Sequence, residues 1–412
     1  MEFNTKLIHG NHGPDKSTGS TTTPIYQSNS FHHSTAEELE RVFNGSEYGY
    51  IYSRINNPTV DAFEKRIALL EKGAGAVACS SGMSAIALAV LNLLGQGDEL
   101  VASSGLFGGT YSLLTSLADY GIKARFSTES TTASLEQLIN EKTRLIFVEA
   151  IGNPKMDVPN IADIAELAHA HQIPLLVDNT VTTPYLLRPI EHGADIVIHS
   201  TSKLINGGGN SIGGIIIDKG RLPWSAEKFP ILSEMRKQFS FFAYLAKLRK
   251  GLHRDIGACM APMNAYLTGL GLETLGVRMD KACSNAFELA SFLQNHPGVR
   301  WVNYPGLQDN PYHELAVRQF GDKYGVILTF GVGSKANAFK VINNLKLAYN
   351  LANIGDVRTL VIHPASTIYS SNTPEERKLL GVTGDLVRVS AGIEDIRDLL
   401  DDFEKALKSI KN

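Results

Sequence analysis

A lysine and an aspartate in this sequence have surroundings that suit chemistry on an aldehyde and a nitrogen heterocycle. Lys203 ends the segment 199–203, which follows an apolar strand and precedes the glycine run 207–209. Asp178 ends a second apolar strand at 174–177. A lysine amine can form an imine with an aldehyde, and a carboxylate can hold the proton of a pyridine nitrogen. An enzyme that uses pyridoxal phosphate (PLP) requires both groups, so the pair predicts this cofactor.

Each of these two residues also has an ordinary structural interpretation. Most lysines lie on a solvated surface, so Lys203 alone is a weak signal. Asp178, which is followed by Asn179, could be a turn residue at the end of its strand. The functional interpretation places Asp178 at the carboxyl edge of a parallel sheet, where ligands of open α/β folds bind. Because both residues follow neighbouring strands, the prediction is stronger for the pair than for either residue.

A serine-rich turn upstream could bind a phosphate group. The segment 80–84 joins a predicted strand to a predicted helix, and the free N–H groups and dipole at a helix start attract anions. A plain strand–helix turn explains the segment equally well. Two serines next to Lys203 could donate hydroxyl groups to the same anion. The candidate phosphate ligands are Ser81, Gly82, Met83, Ser200 and Ser202.

Three further side chains are suited to anions. Arg388 lies inside the apolar strand 386–390, where an arginine is costly unless it is paired. A bidentate contact with a substrate α-carboxylate would pair it, and an internal salt bridge would do so equally well. Tyr52 and Arg54 lie in the irregular N-terminal segment, which is either an arm that offers both side chains to a phosphate or an ordinary loop.

The composition is that of a globular protein and excludes several function classes. The 412 residues are 43% hydrophobic and 20% charged, and the net charge of −3 favours neither nucleic acid nor anionic membranes. The N-terminus lacks a signal-peptide core, and no stretch has the length and apolarity of a membrane span. Three cysteines are too few and too scattered for a disulfide framework or a zinc site. We therefore expect a cytoplasmic protein without a metal and without nucleic-acid or membrane partners.

The apolar runs predict three regions: an N-terminal arm (1–58), a large domain (59–258) and a small C-terminal α/β domain (259–412). In the large domain, whose first helix Thr59 is predicted to cap, unbroken apolar strands alternate with helical patterns. This is typical of a mostly parallel sheet covered on both faces. The strands are predicted at 76–79, 99–102, 123–126, 145–149, 175–177, 196–199 and 212–217. The small domain follows a helical stretch at about 260–295 and has predicted strands at 325–330 and 386–390 and a closing helix at 394–410.

The segment 218–257 differs from the rest of the large domain. It combines an excess of basic residues with the aromatic residues Trp224, Phe229, Phe239, Phe241, Phe242 and Tyr244. A lid or a subunit contact explains this composition better than a nucleic-acid surface, because no recognition motif accompanies the charges.

The motifs together resemble those of the Cys/Met-metabolism PLP-dependent enzymes, which include cystathionine γ-synthase, the cystathionine lyases, methionine γ-lyase and O-acetylhomoserine sulfhydrylase. The resemblance extends from Thr5 to Arg388. It rests on Tyr52-Ser53-Arg54, Ser81-Gly82-Met83, Val177-Asp178-Asn179-Thr180, Ser200-Thr201-Ser202-Lys203 and Leu386-Val387-Arg388. It implies an α/β enzyme of PLP fold type I, similar to aspartate aminotransferase, that assembles as a homotetramer from dimers with shared active sites.

The resemblance also implies a role for each matching residue. Lys203 would carry the cofactor as a Schiff base, and Asp178 would hold the pyridine nitrogen. Gly82, Met83, Ser200 and Ser202 would bind the phosphate, which Tyr52 and Arg54 would reach from the neighbouring subunit. Asn153 would lie near the PLP hydroxyl, and Arg388 would bind the substrate carboxylate.

Three positions bear on which branch of this family the chain resembles, and one of them is a departure from the family pattern. Asn353, a candidate substrate-binding residue, resembles the sulfhydrylase branch, whereas the γ-lyases tend to have serine there. Gly109 stands where methionine γ-lyases typically have cysteine. Phe107 replaces the tyrosine that usually stacks on the PLP ring, and it cannot transfer a proton. The expected reaction is replacement of the acetate of O-acetyl-L-homoserine by sulfide or a thiol, with a γ-lyase or a cystathionine γ-synthase as the alternative.

Overall fold

The structure is a computed structural model that describes residues 1–11, 13–222 and 224–410. The strands are β1 Gly75–Cys79, β2 Glu99–Ala102, β3 Lys123–Phe126, β4 Thr143–Glu149, β5 Leu175–Asp178, β6 Ile196–His199, β7 Gly214–Asp218, β8 Trp301–Asn303, β9 Ile327–Gly331, β10 Tyr349–Asn350, β11 Leu360–Ile362 and β12 Leu386–Ser390. The helices are α1 Phe3–His9, α2 Ala36–Asn44, α3 Pro58–Glu71, α4 Gly82–Leu91, α5 Gly108–Ser116, α6 Thr132–Glu136, α7 Ile161–Ala170, α8 Thr183–Leu186, α9 Pro230–Phe239, α10 Ala243–Lys250, α11 Leu252–Ile256, α12 Pro262–Glu273, α13 Leu275–Gln294, α14 His313–Phe320, α15 Lys335–Asn344, α16 Pro374–Leu379 and α17 Ile396–Leu407. Short 3₁₀ helices lie at Leu117–Tyr120, Pro189–His192, Ser240–Phe242 and Pro364–Ser366.

The larger sheet has seven strands in the order β1-β7-β6-β5-β4-β2-β3. Strands β2 to β6 pair in parallel, and β7 runs antiparallel to both of its neighbours. The prediction of a mostly parallel seven-stranded sheet is therefore confirmed, and each predicted strand is present close to its predicted bounds.

Strand β4 shows why the sheet is covered on both faces. Leu145 and Phe147 join the core that includes α4, α5 and α10, whereas Ile146 and Val148 join the core of the other face with α3, α7 and α13. All four side chains are fully buried, and each contributes about 1.5–3 kcal/mol relative to exposure. Successive side chains of a strand point to opposite faces, so a doubly covered strand requires an unbroken apolar run.

The strands that carry the candidate residues end at one edge of this sheet. β4 ends at Glu149, β5 at Asp178 and β6 at His199, and these three strands are parallel neighbours. β1 is antiparallel to β7, which is antiparallel to β6, so β1 runs in the same direction as β6. It leads into α4 at the same edge. Segments far apart in the sequence therefore converge there.

The start of α3 differs from the prediction. Asn57, rather than Thr59, caps this helix: its Oδ1 accepts the N–H of Thr59 at 2.9 Å, and Pro58 occupies the first helical position. Thr59 instead donates its hydroxyl to the carbonyl oxygen of Pro24 at 2.7 Å. The start of α3 thus also attaches the N-terminal arm, which contains α1 and α2; Thr35 caps α2 by accepting the N–H of Glu38.

The smaller sheet has five strands in the order β10-β11-β12-β9-β8. The two predicted strands correspond to β9 and β12, which pair in antiparallel fashion and place Arg388 opposite Thr329. β8, β10 and β11 are two or three residues long and were not predicted, because so short a run carries no readable period. The boundaries predicted at residues 58 and 258 stay predictions.

The predicted helical stretch at 260–295 is two helices. α12 and α13 are separated at Thr274, where φ is −103° and ψ is 7°. α13 is 20 residues long and buries one face between the two sheets, including Met279 and Leu289. Within the described ranges, no helix has both the length and the apolar character needed to cross a membrane.

The aromatic segment at 218–257 divides into buried and exposed side chains. Trp224 and Tyr244 are stacked 5.9 Å apart in the core, and the hydroxyl of Tyr244 donates to the carbonyl oxygen of Ala89 in α4. Phe241 and Phe242 are exposed. The buried members therefore anchor the segment to the large sheet, and the subunit-contact interpretation stays a prediction for the exposed ones.

The close contact between Gly214 in β7 and the start of α4 can be tested through the stability of the protein. A β-carbon on Gly214 in β7 would collide with the carbonyl oxygen of Ser81 and lie 2.8 Å from the nitrogen of Gly82. We expect Gly214→Ala to lower the free energy of unfolding by about 1–3 kcal/mol in urea denaturation, since the backbone must shift. Gly384→Ala is the control, because a β-carbon there meets nothing within 4 Å. Equal stability of the two variants would contradict this packing argument.

Candidate active site

A cavity of about 310 Å³ lies at the edge where the strands of the large sheet end, and β12 of the smaller sheet closes it. Its volume lies at the lower end of the range of about 300–1,000 Å³ that is typical of small-molecule sites. Most of the residues predicted from the sequence meet here. Those that line the cavity are Ser81, Gly82, Met83, Phe107, Asn153, Asp178, Ser200, Ser202, Lys203, Asn353 and Arg388.

One end of the cavity has the features of a phosphate site. Ser81 caps α4 by accepting the N–H of Ser84 at 3.1 Å. The N–H groups of Gly82 and Met83, in the first turn of α4, have no intrahelical acceptor and lie at the positive end of the helix dipole. A β-carbon on Gly82 would lie 2.5 Å from that of Ser200, so glycine permits α4 to approach the end of β6. The arrangement fits a phosphate group.

Asp178, the last residue of β5, also lines the cavity. Burial raises the pKa of its carboxyl group, and hydrogen bonds from Thr180 oppose that shift. One of them is the backbone N–H of Thr180, which donates to Oδ1 at 3.0 Å. Such a carboxylate can hold the proton of a pyridine nitrogen.

Phe107 presents its ring to the same cavity. A β-carbon on Gly109 would lie 2.6 Å from the ring atom Cε1 of Phe107 and 3.3 Å from the sulfur of Met83. The absence of a side chain at Gly109 therefore leaves room for the ring. The ring offers a flat apolar surface, on which an aromatic cofactor can stack.

The amine of Lys203 is placed for imine chemistry. Its Nζ donates to Oδ1 of Asn353 at 2.5 Å. Burial, together with the charge of Arg388, lowers the pKa of Lys203 to about 8. A neutral amine is the nucleophile that attacks an aldehyde, and this pKa makes the neutral form accessible near neutral pH.

Arg388 is buried but has no acidic partner. Its guanidinium donates to Oδ1 of Asn153 at 3.2 Å and to the carbonyl oxygen of Asn353 at 3.0 Å. Burial lowers its pKa to about 10, so the group stays charged. Among residues 1–11, 13–222 and 224–410, no carboxylate forms an ion pair with it, so they offer no support for the internal salt bridge. A substrate carboxylate would supply the missing partner.

The structure does not bring Tyr52 and Arg54 into this cavity. Tyr52 is 39% exposed. The guanidinium of Arg54 lies 5.5 Å from the Tyr52 ring centre and donates to the carbonyl oxygen of Arg254 at 2.5 Å. Their predicted role toward a neighbouring subunit stays a prediction.

Sequence reasoning missed several residues that line the cavity, of which Glu149 is the most informative. Its Oε1 accepts the N–H of Phe107 at 2.7 Å. Burial raises the pKa of Glu149 well above its usual value, and the charge of Asp178 raises it further. A glutamate that closes an apolar strand is the same signal that identified Asp178. The other missed lining residues are Ile86, Thr110, Ile151, Thr180, Val181, Ala352, Ile354 and Ile368.

The site combines three features of a PLP-dependent α/β enzyme. They are a helix start that fits a phosphate, a carboxylate that fits a pyridine nitrogen, and a buried lysine amine. The family model for Cys/Met metabolism PLP-dependent enzymes matches residues 4–408, and the chain belongs to this family. The predicted family and cofactor are thereby confirmed.

Individual relatives agree over nearly the whole chain. A homocysteine synthase from Schizosaccharomyces pombe is 44% identical, and the alignment covers 98% of each protein. An O-acetyl-L-homoserine sulfhydrylase from Leptospira meyeri is 42% identical over 98% of this chain and 96% of that protein. The crystal structure of a putative O-acetylhomoserine (thiol)-lyase from Campylobacter jejuni, which contains an N'-pyridoxyl-lysine-5'-monophosphate, is 34% identical with a TM-score of 0.95 and covers 99% of this chain and 100% of that one. The predicted PLP fold type I is confirmed.

The protonation of Glu149 can be tested through stability. The folded protein holds this proton more tightly than the unfolded chain does, so the contribution of Glu149 to the free energy of unfolding falls as pH rises above about 4.3. Glu149→Gln removes that dependence and keeps an oxygen for the N–H of Phe107. We expect its melting temperature without cofactor to equal or exceed that of the parent at pH 7.5, with a smaller difference at pH 4.5.

Scanning calorimetry at the two pH values measures this effect. Glu136→Gln, at an exposed position in α6, is the matched control and should leave the melting temperature unchanged. A Glu149→Gln variant that melts well below the parent at pH 7.5 would show that Glu149 is ionised and engaged in the folded protein.

Proposed function

We propose that this protein replaces the acetate of O-acetyl-L-homoserine by sulfide, which yields L-homocysteine and acetate. The observation that carries the proposal is the full-length similarity to enzymes named homocysteine synthase and O-acetyl-L-homoserine sulfhydrylase. The geometry of the cavity supports it. The cavity offers one charged group for a substrate carboxylate and one amine for proton transfer.

Arg388 and its neighbours would orient the amino-acid substrate. The guanidinium would bind the α-carboxylate in a bidentate contact. Asn153 and Asn353 accept hydrogen bonds from the same guanidinium, so they fix its plane before the substrate arrives. Asn353 also contacts Lys203. The substrate Cα would therefore lie near the amine that must remove its proton.

Lys203 would move the protons of the reaction. PLP, when bound, supplies the electron sink that stabilises negative charge at the substrate Cα. Lys203 would accept the proton from Cα and pass it on to the bound cofactor, and the amine, neutral again, would then accept a proton from Cβ. Asp178 would keep the pyridine nitrogen protonated. The Cγ–O bond breaks and its electrons leave with acetate. Sulfide then forms the Cγ–S bond, and Lys203 returns the protons to Cβ and Cα.

The environment of Phe107 favours an acyl leaving group. Its ring carries no proton that could assist a departing thiolate, whereas acetate is stable as an anion at neutral pH. The same argument weighs against cleavage of methionine. The γ-lyase and cystathionine γ-synthase reactions remain the alternatives, because they would use the same lysine, aspartate and arginine.

Product analysis distinguishes these reactions. We expect the PLP-loaded protein, mixed with O-acetyl-L-homoserine and sulfide, to form homocysteine detected by mass spectrometry. The Lys203→Ala variant should form none. Keto acid and ammonia formed with or without sulfide would instead identify a γ-lyase, and cystathionine formed from added cysteine would identify the synthase.

We also propose that the protein assembles as a homotetramer of dimers and that each dimer shares its active sites. Tyr52 and Arg54 lie on an arm that also exposes Phe43 and Tyr48. Neither of the two residues lines the cavity of its own chain, so their predicted phosphate contact requires a second copy. An arginine and a tyrosine hydroxyl from that copy would add donors to the phosphate bound at α4.

Two inactive variants can test the shared site. Arg54→Ala and Lys203→Ala should each have little activity alone. In a mixed dimer, one site would combine the intact Lys203 of the first variant with the intact Arg54 of the second. We expect co-expression of the two variants to restore a substantial fraction of the parent activity. No restoration in a verified mixed dimer would show that Arg54 acts within its own chain or not at all.

A cytoplasmic location completes the proposal. The cysteines Cys79, Cys259 and Cys283 are all free thiols, and Cys79 and Cys283 are buried. This supports a reducing compartment, in which disulfides are rare.

A further inference from the structure

A buried carboxylate beneath the cavity joins the ends of two strands. Glu71, the last residue of α3, accepts hydrogen bonds on Oε1 from Nε2 of His199 at 2.6 Å and from Nδ2 of Asn179 at 2.8 Å. All three side chains are fully buried. His199 ends β6, and Asn179 directly follows β5. One oxygen atom therefore connects the two strands that lead into Lys203 and Asp178.

This cluster lies on the face of the sheet opposite to Asp178. Asp178 pairs in register with Ile198, whose side chain belongs to the core around α4 and α5. His199, one residue later, points to the other face, where α3 packs. Asn179 also donates to the carbonyl oxygen of Leu187 at 2.8 Å. The cluster thus supports the backbone on which Asp178 is carried and does not itself line the cavity.

The carboxylate of Glu71 is buried and contacts the imidazole of His199. A carboxylate without exposure to water is costly unless a positive charge or a proton compensates it. Oε2 of Glu71 and Nδ1 of His199 are buried without a hydrogen-bond partner in the described part of the chain. The contact between Oε1 and Nε2 is therefore the place where compensation occurs.

We propose that Glu71 and His199 form a carboxylate–imidazolium pair that positions Asp178 and keeps it ionised, so that both act as positioning residues for the ring nitrogen of PLP. The inference rests on the role proposed above for Asp178. Burial raises the pKa of Asp178, and the charge of His199 opposes that shift together with the hydrogen bonds from Thr180.

A cofactor analogue separates this role from a merely structural one. In 1-deazapyridoxal phosphate, carbon replaces the ring nitrogen, so Asp178 has no ring proton to hold. The aldehyde and the phosphate are unchanged. We expect Glu71→Gln and His199→Gln to weaken the binding of PLP on the order of tenfold, a coupling of about 1.4 kcal/mol, and to leave the binding of the analogue nearly unchanged.

Equilibrium binding of each cofactor to the cofactor-free full-length variants gives the ratio of the two dissociation constants. The ratio is formed within one variant, so a partial loss of stability affects both cofactors and cancels. His169→Gln is the matched control, because Nε2 of His169 contacts Oδ2 of Asp195 at 2.8 Å just before β6 begins, at the far end of that strand. Its ratio should equal that of the parent.

Asp178→Asn distinguishes the two ways in which the test can fail. In the first, Asp178→Asn selectively weakens the binding of PLP, but Glu71→Gln and His199→Gln weaken the binding of both cofactors equally or of neither. The proposed pair then has no positioning role. If Asp178→Asn itself shows no selectivity, the assignment of Asp178 fails and this inference falls with it. Selective loss of PLP affinity in all three variants supports the pair.

Discussion

Strand direction is the constraint on which the rest of the site depends. β7 runs antiparallel between β1 and β6, so those two strands run in the same direction without touching. The segment after β1 and the segment after β6 therefore leave the sheet at the same edge. The first begins α4, and the second carries Ser200, Ser202 and Lys203. A phosphate site can then form between two segments that are more than a hundred residues apart in the sequence.

Burial sets the protonation states of the ionisable groups at this edge of the sheet. Removal from water lowers the pKa of Lys203 to about 8 and raises that of Glu149. Arg388 stays charged, and its acceptors among the described residues are two neutral oxygen atoms. Burial thus shifts Lys203 and Glu149 toward their neutral forms, which neither group favours on the surface. The two cores on the faces of the sheet supply the free energy that offsets these costs. A well-packed scaffold is therefore a condition for the reactivity of the lysine.

The features that could be predicted from the sequence are those that depend on local pattern. Apolar runs such as 145–148 identify doubly covered strands, and Lys203, Asp178 and Arg388 stand out because charged residues adjoin or interrupt such runs. β10 has two residues and left no pattern. Thr59 was predicted as the cap of α3, but its hydroxyl donates to the carbonyl oxygen of Pro24, a tertiary interaction that the local sequence does not reveal. Glu71 and His199 look like ordinary strand and helix ends until the fold places them 2.6 Å apart.

The same reasoning explains why the fold defines the family more firmly than it defines the substrate. Lys203, Asp178 and Arg388 would serve elimination and replacement equally, since both begin with removal of the Cα proton. The choice between them depends on what assists the leaving group and on which nucleophile reaches Cγ. At Phe107 no acid is available, and the missing side chain of Gly109 gives the ring the space that a cysteine would occupy. A leaving group that departs without a proton needs no acid at the position of Phe107, and an acyl ester of homoserine has that property, which supports the proposed reaction.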